Sequence, residues 1–194
     1  MPSDAGWLLI DASAPGAVVE PLAANDFSRP LARIRLESAA ARVLDVPTRR
    51  VEDLAATLFA AEAAGVARWA CDTAVDYAKV RTQFGSAIGS FQAVKHHLAD
   101  VAIALEMARP LVHAAALGAD GMVPANTNVL ADISAAKVAA ADAAYLASRQ
   151  ALQVLGAIGY TAEHDLSLYL TKTRALVGAW GTPAQHRQRI LNSL

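Results

Sequence analysis

Residues 77–100 read YAKVRTQFGSAIGSFQAVKHHLAD, and the break inside this stretch decides the fold. Helix-favouring residues continue up to Arg81, and a Gln-Phe-Gly sequence at positions 83–85 then interrupts them. A second helical pattern begins at Phe91. Glycine allows a sharp turn without a Cβ clash, so the stretch predicts two helices that are joined by an elbow.

The helix after the elbow has the clearest repeat in the chain, because its apolar residues recur every three or four positions. Such spacing places them on one side of a helix and is typical of the buried face of a helical bundle. Ser90 precedes the pattern, and we expect it to be the N-cap because a serine hydroxyl accepts a hydrogen bond from a free helical N–H. The residues of this predicted face are Phe91, Val94, Leu98, Val101, Leu105, Ala108, Val112 and Ala115.

Helical periodicity also precedes the elbow, from about Arg50 to about Gln83. A third helix, rich in alanine, is predicted from about Asn128 to Leu155, and Gly156 is expected to end it. One face of the first helix is marked by Leu54, Leu58, Ala61, Gly65 and Trp69, and we expect this face to be buried.

Two shorter helices complete the pattern. One covers roughly residues 163–177. The last begins at Thr182, with Pro183 in the first helical position and Gln185 completing a capping box. Small alanine side chains also let long helices approach one another closely. These features predict a mainly α fold, an antiparallel up-and-down four-helix bundle that spans residues 48–194.

Residues 1–47 have a different pattern. Three short apolar or alternating runs, WLLIDA, AVVEPL and ARIRLES, are separated by Pro, Gly, Asn and Asp and predict β-strands. Arg33 and Arg35 alternate with Ile34 and Leu36, which suits a sheet with one face in water. Three strands form a poor independent core, so this segment is predicted to hold the later strands of an incomplete β-domain.

The composition argues against several classes of protein. The net charge is −1 without a basic run, so the chain lacks the electrostatic pattern of a nucleic-acid-binding protein. The longest stretches without a charged residue have 13 residues, short of the about 20 that a membrane span needs, and we expect no membrane span. The start lacks the cationic region of a signal peptide, and the single Cys71 suits a reducing, cytoplasmic location.

The same composition bears on ligands and partners. The histidines do not have the spacing of metal ligands, so no metal site is predicted. No phosphate-binding loop or dinucleotide fingerprint is present. The hydrophobic fraction of 55% is high for a monomer, and we expect part of the apolar surface to contact another chain.

Four segments of the chain together resemble the acyl-CoA dehydrogenase family. YAKVRTQFGSAIGSFQAVKHHLADV resembles the family's motif at the turn between the first two helices of its C-terminal bundle, and LQVLGAIGYTAEHDL resembles its second glycine-bearing motif. GAWGTPAQHR occupies the place of the final catalytic and flavin-contacting segment. Residues 7–45 resemble the later strands of the family's middle β-domain.

The resemblance implies a flavoprotein that oxidises an acyl-CoA thioester to the 2,3-enoyl-CoA, with FAD as its cofactor. A carboxylate removes the α-proton, and the β-hydrogen leaves as hydride to the flavin. An electron-transfer flavoprotein would accept the electrons. Members of the family share FAD between subunits, which implies a homo- or hetero-oligomer. The acyl-CoA substrate implies a place in fatty-acid or lipid metabolism.

By resemblance, the elbow would reach the FAD of a neighbouring subunit. An arginine offers a fork of donors to phosphate or ribose oxygens, a glutamine can hydrogen-bond, and a phenylalanine offers an apolar face. The implied cofactor-binding residues are Arg81, Gln83, Phe84, Ile88 and Gln92 of the elbow, Gln153 and Gly156 near the pyrophosphate, and Thr182 at the FAD of the facing site.

The catalytic base does not follow the family pattern. Trp180 occupies the usual position of the glutamate before a Gly-Thr pair, and Ala55 occupies the alternative position on the first bundle helix. Asp53 would take that place only after a two-residue register shift, and Glu62, two turns further on, is expected to be a paired structural glutamate. The catalytic base is therefore unassigned.

Three functions stay open. The first hypothesis is that the chain is the C-terminal part of an acyl-CoA dehydrogenase-like enzyme. The second is a non-catalytic partner or fragment that completes the FAD site of a carboxylate-bearing subunit, and Trp180 and Ala55 favour it. The third is a helical bundle that binds no flavin and only mediates assembly. The sequence does not determine the acyl chain, the oligomer or the electron acceptor.

Overall fold

The structure is a computed structural model that describes residues 2–3 and 6–194. Five α-helices lie in these residues: α1 (Thr48–Val80), α2 (Gln92–Ala119), α3 (Val129–Leu155), α4 (Leu166–Gly178) and α5 (Pro183–Leu191). Short 3₁₀ turns at Ile88–Ser90 and Gly156–Tyr160 precede α2 and follow α3.

Consecutive long helices run in opposite directions. The Arg50 side chain near the start of α1 donates a hydrogen bond to the carbonyl of Ala119 at the end of α2, so these two helices are antiparallel. Lys137 in the first half of α3 contacts Leu176 at the end of α4, which makes that pair antiparallel as well. The helix α3 packs against each of the other four helices and forms the centre of the bundle. The predicted fold class, a mainly α antiparallel bundle, is confirmed.

The buried face of α1 differs from the predicted one. Leu58 is 68% exposed, and Ala61 and Gly65 also face outward, so the expected face is wrong. Alanines three and four apart allow close approach between helices, and this packing geometry decides the buried side more than side-chain size does. The alanines that α1 buries are Ala56, Ala60, Ala63, Ala64, Ala67, Ala70, Ala74 and Ala78.

The predicted face of α2 is confirmed along its middle. Val101, Leu105 and Ala108 are buried there. The expected N-cap is wrong, because α2 begins at Gln92 and Phe91 takes the cap position. Ser90 instead belongs to the preceding 3₁₀ turn, where its hydroxyl donates to the Ala87 carbonyl at 2.7 Å.

The predicted ends of α3 and the start of α5 are confirmed. The Asn128 side chain accepts a hydrogen bond from the Ala131 N–H at 3.1 Å and caps α3. Gly156 follows α3 with a φ of 62°, a conformation that glycine adopts without a Cβ clash. Thr182 and Gln185 form the capping box of α5.

The three predicted strands are confirmed as β2 (Gly6–Ile10), β3 (Ala17–Leu22) and β4 (Leu31–Leu36). The short strands β1 (Pro2–Ser3) and β5 (Ala41–Leu44) were not expected. An antiparallel sheet has the order β1-β2-β5, while β3 and β4 form a separate antiparallel pair with Glu20 opposite Arg33.

The pair β3–β4 has one charged face and one apolar face. Glu20 forms ion pairs with Arg33 and Arg35 on the charged face, as the alternation predicts. On the other face Val19 lies opposite Ile34, which is 57% exposed. The apolar face of this pair is therefore open over much of its area in the described structure.

A cluster of ion pairs and hydrogen bonds joins the β-segment, residues 6–47, to the helices. Glu62 of α1 accepts a hydrogen bond from Arg29. It also forms an ion pair with Lys172 of α4, whose Nζ lies 2.5 Å from the Glu62 Oε1. Lys172 also donates to the Ser28 hydroxyl at 2.7 Å, and the Arg29 guanidinium lies 4.4 Å from the centroid of the Phe59 ring. Glu62 is thus a paired structural residue that joins segments far apart in the chain.

Replacing Glu62 by glutamine should lower the free energy of unfolding by about 1 kcal/mol, because Arg29 and Lys172 would lose their shared countercharge in a half-buried site. Chemical denaturation at low and high salt would measure the change, which should shrink as salt rises. Glu106→Gln is the matched control, because its pair with Arg109 is exposed and should contribute little. Equal effects of the two variants would contradict this role for Glu62.

Within the described residues, α2 is the one helix that is long and apolar enough to cross a membrane by length and composition. Its best window has a mean hydropathy of 1.3. The same helix places Val101, Leu105 and Ala108 in the bundle core, and a core helix passes the same criterion. The absence of a membrane span stays a prediction.

Candidate functional site

The elbow between α1 and α2 is a small hairpin. The strands β6 (Thr82–Gln83) and β7 (Ser86–Ala87) pair antiparallel. Phe84 and Gly85 join them with φ values of 51° and 79°, as in a two-residue type I′ turn. A bulky residue with positive φ is strained by about 1–2 kcal/mol. The chain therefore holds an aromatic ring at the hairpin tip at an energetic cost.

The Phe84 ring is exposed to solvent and is not part of the core. It is 93% exposed, and it makes an edge-on contact with the Phe91 ring at a centroid distance of 6.2 Å. A phenylalanine at a strained turn gains almost no burial in this chain, so its location is not explained by packing within the fold. The exposed pair offers an apolar surface for a flat partner.

Arg81 stands directly before the hairpin with an exposed side chain. Its backbone N–H donates to Tyr77 and its carbonyl accepts from Ile88, so the backbone is fixed. Its guanidinium makes no ion pair or hydrogen bond within the described residues, and five N–H donors remain available. Gln83 donates to the Thr82 carbonyl at 2.9 Å, which leaves its side-chain oxygen free to accept.

Of the two remaining elbow residues, Ile88 packs inward and Gln92 lies at the surface. Ile88 is half-buried and packs against the hydrophobic core, so it anchors the hairpin. Gln92 is exposed in the first turn of α2. The elbow thus presents one cation, two amides and two aromatic rings on a fixed backbone.

Gln153 and Gly156 lie at the same end of the bundle as the elbow, because α1 and α3 both run antiparallel to α2. Gln153 is exposed on the last turn of α3. A Cβ added to Gly156 would meet nothing within 4 Å, so the backbone there is open to an approaching group. These two residues therefore stand on the side where the elbow projects.

Within this chain, Thr182 lies away from the elbow end of the bundle. It caps α5, and α5 contacts α3 through the ion pair of Arg187 with Asp142, three turns before Gln153. The Thr182 hydroxyl is also engaged with Gln185 at 3.0 Å. The eight predicted residues thus form one group at the elbow end and one separate position, and their assignment to FAD sites stays a prediction.

The two positions expected to hold a base lack an ionisable side chain. Trp180 has a φ of 55° and is 40% exposed, and its ring lies 6.0 Å from that of Trp7 with a tilt of 30°. Ala55 is half-buried on α1. An indole and a methyl group cannot accept the α-proton of a thioester.

The nearby carboxylates are already paired. Asp53 accepts from Arg189 at 2.5 Å. Burial by itself raises the pKa of Glu62, but hydrogen bonds from Arg29 and Lys172 outweigh it and leave the pKa below its usual value. A base that must take a proton near neutral pH needs a raised pKa, so the environment of Glu62 does not suit that role.

A cavity of about 520 Å³ adjoins the Trp180 loop, which is the segment from Ala179 to Thr182 between α4 and α5. It lies between the β-segment and the helices α1 and α4, with Leu31, Phe59 and Ala179 among its apolar walls. Arg174 and the largely buried Asp26 add charge to the lining, and one Asp26 carboxyl oxygen has no hydrogen-bond partner in the described residues. A mostly apolar space with few polar groups is the usual form of a small-molecule site.

Two buried ionisable residues beside this loop were missed at the level of sequence. Lys137 is fully buried in α3, and its ammonium donates to the Leu176 carbonyl at 2.8 Å. A lysine within the run AAKVAAA was the available signal, because helical periodicity places it in line with buried Ile133 and Ala140. Burial lowers the pKa of Lys137 from 10.5 to about 8.

His186 of α5 is the second buried ionisable group. Its Nε2 lies 3.0 Å from the Trp180 carbonyl oxygen. Burial lowers the pKa of His186, which favours the neutral ring at pH 7. A carbonyl oxygen only accepts, so the neutral ring must carry its proton on Nε2. A Cβ at Gly181 would lie 2.7 Å from this nitrogen, so the loop packs directly on the imidazole.

The buried lysine predicts a specific pH dependence of stability. Between pH 8 and 10.5 the unfolded chain keeps the Lys137 proton that the folded chain has lost, so stability should rise with pH in this window. The gain should be about 2 kcal/mol between pH 8 and 9.5. The difference between wild type and Lys137→Met, from urea denaturation at each pH, isolates this residue. A difference that does not vary with pH would contradict the prediction.

Comparison with known proteins bears on the family. The model of the family described as "Acyl-CoA dehydrogenase, C-terminal domain" matches residues 53–194. The chain belongs to this family. FadE34, an acyl-CoA dehydrogenase of Mycobacterium tuberculosis, is 48% identical over 190 residues, which are 98% of this chain and 26% of FadE34. IpdE2, an acyl-CoA dehydrogenase of the same organism, is 35% identical over 88% of this chain and 50% of its own length.

A solved structure of this family has the same fold. The Tcur3481–Tcur3483 steroid ACAD variant superposes with a TM-score of 0.87 at 28% identity, over 96% of this chain and 50% of that one. The chain thus spans between a quarter and half of the length of these acyl-CoA dehydrogenases. The match includes the bundle with its elbow and the strands that precede it.

Proposed function

We propose that this chain is the C-terminal part of an FAD-dependent acyl-CoA dehydrogenase and that its elbow binds the nucleotide portion of FAD at a subunit interface. The observation that carries the proposal is the elbow itself, where the strained and almost fully exposed Phe84 is close in sequence to Arg81, whose guanidinium is unpaired within the described residues. FAD, when bound, would supply the acceptor for the β-hydride of the substrate.

The elbow fits the chemistry of the nucleotide portion. Arg81 supplies a cation and several donors for pyrophosphate or ribose oxygens. The exposed rings of Phe84 and Phe91 supply an apolar face for a purine. Gln153 and Gly156, at the same end of the bundle, add a side-chain amide and an open backbone. The exposure of the elbow supports the proposal that the FAD it binds belongs to a neighbouring subunit.

The substrate under this proposal is an acyl-CoA thioester, in the context of lipid metabolism. The cavity beside the Trp180 loop has room and apolar walls for an acyl group. One solved relative is named for a steroid, so a steroid-derived acyl-CoA is the first compound to test against straight-chain acyl-CoAs. An electron-transfer flavoprotein is the proposed acceptor, and the cytoplasm is the proposed location.

A second candidate function is that of a non-catalytic partner. Trp180, whose ring lies tilted against that of Trp7, stands at the position where the family carries its base, and the neighbouring carboxylates are paired. In that role the elbow would bind FAD for another subunit that supplies the carboxylate. Both functions require FAD at the elbow, and they differ in where the proton is taken.

Binding is tested first by purifying the protein and measuring visible flavin absorbance before and after adding FAD. A colourless protein that binds no added FAD would contradict both functions and leave the role of an assembly bundle. Coexpression with candidate partner subunits, followed by a Glu→Gln change in the partner, then separates the enzyme from the non-catalytic role.

Trp180→Glu places a carboxylate at the family's base position. If this chain forms the catalytic site, we expect flavin bleaching by acyl-CoA to rise by at least about 100-fold in the assembled protein, the usual contribution of a general base. Trp180→Gln is the matched control, since it has nearly the same volume and no basic group. Equal bleaching by the two variants would favour the non-catalytic partner.

A further inference from the structure

Lys137 is the largest fully buried side chain in the described part of the chain. An ammonium taken out of water is unfavourable unless charges or hydrogen bonds compensate for the lost hydration. No carboxylate of the described residues forms an ion pair with Lys137. Hydrogen bonds to backbone carbonyls are therefore what compensates this buried charge.

The partners of Lys137 are the last carbonyls of α4. Its Nζ donates to the Leu176 oxygen at 2.8 Å and lies 3.4 Å from the Val177 oxygen. The final carbonyls of a helix have no partner within the helix and form the negative end of its dipole. Lys137 therefore holds the end of α4 through both hydrogen bonding and charge.

The loop that follows α4 is fixed from a second side. It passes through Trp180 and Gly181, with φ values of 55° and 103°. The His186 ring holds the Trp180 carbonyl at 3.0 Å, and Gly181 packs on that ring. Two positive φ values in succession form a sharp reversal of the chain. Where the chain goes after this reversal depends on where α4 ends, because the loop starts from the last turn of α4.

The groups around Lys137 come from α4, α5 and α1 and from its own helix α3. The α4 carbonyls lie on one side and His186 of α5 on another. Asp53 of α1 is near His186, but it is bonded to Arg189. Ser134, one turn before Lys137 on α3, is buried without a hydrogen-bond partner in the described residues. Within the part of the chain that the structure describes, the ammonium thus has the α4 carbonyls as its acceptors and no carboxylate paired with it.

We propose that Lys137 is a positioning residue that sets the location of the loop from Gly178 to Thr182. By fixing the last turn of α4, it determines where the Trp180 ring meets Trp7 and where Thr182 is presented. That Thr182 then contacts FAD rests on the proposed function, whereas the positioning of the loop does not.

The Trp7–Trp180 pair provides a spectroscopic measure of loop position. Two indoles 6.0 Å apart can couple in circular dichroism, and the coupled signal depends on both their separation and their relative orientation. The parent for the experiment is Trp69→Phe, which leaves these two tryptophans as the only ones in the chain. Trp7→Phe and Trp180→Phe in that parent identify the coupled signal.

Lys137→Met keeps much of the side-chain volume and removes the donor. We expect the coupled signal to fall to about half or less of its parent value and acrylamide quenching of tryptophan fluorescence to increase, because the aromatic contact depends on a ring separation of only a few ångströms. Lys137→Gln keeps a shorter donor and should retain more of the signal than Lys137→Met. This order provides the test if the methionine variant is poorly folded.

Val154→Ala is the control for lost stability alone. Val154 is buried in the same helix, more than four turns from Lys137, so its truncation opens a cavity far from the loop. It should leave the coupled signal unchanged at full helical content. A Lys137→Met protein that is folded and keeps the parent signal and quenching would overturn the proposal.

The same variants separate this inference from the proposed function. If wild type binds FAD, Lys137→Met should weaken FAD binding together with the loss of the coupled signal. If wild type binds no FAD, the proposed function fails, while a lost coupled signal in Lys137→Met still supports the positioning role.

Discussion

Replacing Arg81 by alanine is expected to weaken FAD binding by roughly 10–100-fold, because a hydrogen bond to a charged group contributes about 1.5–3 kcal/mol. The guanidinium is exposed and unpaired in the described structure, so no internal ion pair is lost. The unfolding free energy should change by less than about 0.5 kcal/mol, as for other surface substitutions. Titration of flavin fluorescence and chemical denaturation would measure the two quantities.

Lys79→Ala is the matched control for Arg81. Lys79 is also an exposed cation at the end of α1, but it pairs with Asp76 at 2.9 Å. Its removal should leave FAD affinity nearly unchanged. If both variants weaken binding equally, general electrostatic attraction and not the elbow would account for the effect.

Phe84 allows function and stability to be separated at the elbow. In Phe84→Gly the strain of a positive φ is relieved, although the flexible residue costs entropy, so stability should change little. FAD affinity should fall, because the exposed ring is gone. A variant that loses stability and keeps its affinity would show that the ring supports the fold and not the cofactor.

The second large effect is expected in the alanine core. Ala140→Leu should lower the free energy of unfolding by about 3 kcal/mol or more, since overpacking a close helix contact forces the helices apart. Ala140 is fully buried at the centre of the bundle, where α3 meets its neighbours. Thermal unfolding followed by circular dichroism would measure the loss.

Leu58→Ala is the informative comparison for Ala140→Leu. Periodicity in the sequence places Leu58 in the core, whereas the structure leaves it 68% exposed. Its truncation should change stability by less than about 0.5 kcal/mol. A cost comparable to that of a core leucine would mean that Leu58 is buried against another chain in the assembled protein.

Much of the architecture follows from local rules in the sequence. The capping box at Thr182 and the end of α3 at Gly156 depend on hydrogen bonds between residues a few positions apart, so they could be predicted without a partner element. The elbow also follows from local sequence, because glycine permits the reversal that its hairpin requires. The assignments of site residues rest on the resemblance and stay predictions.

The expectation for α1 shows where local rules end. Its large residues suggested one buried face, and the alanine face was buried instead. Which face of a helix is buried depends on the neighbour that approaches it, and α3 is more than 48 residues further along the chain than the end of α1. Close approach favours the smallest side chains, so a hydrophobicity pattern alone selected the wrong side.

The sequence by itself determined the order of the helices, the ends of α3, the start of α5, the glycine elbow and the membership in the family, because each depends on neighbours in the chain or on whole motifs. Only the tertiary structure decided that Arg81 has no partner within the described residues, that Glu62 joins Arg29 to Lys172, and that the Lys137 ammonium bonds to carbonyls at the end of α4. The Lys137 contact connects residues 39 positions apart. The physical reason is that charges and donors take the partners that folding brings near, and no local pattern specifies them.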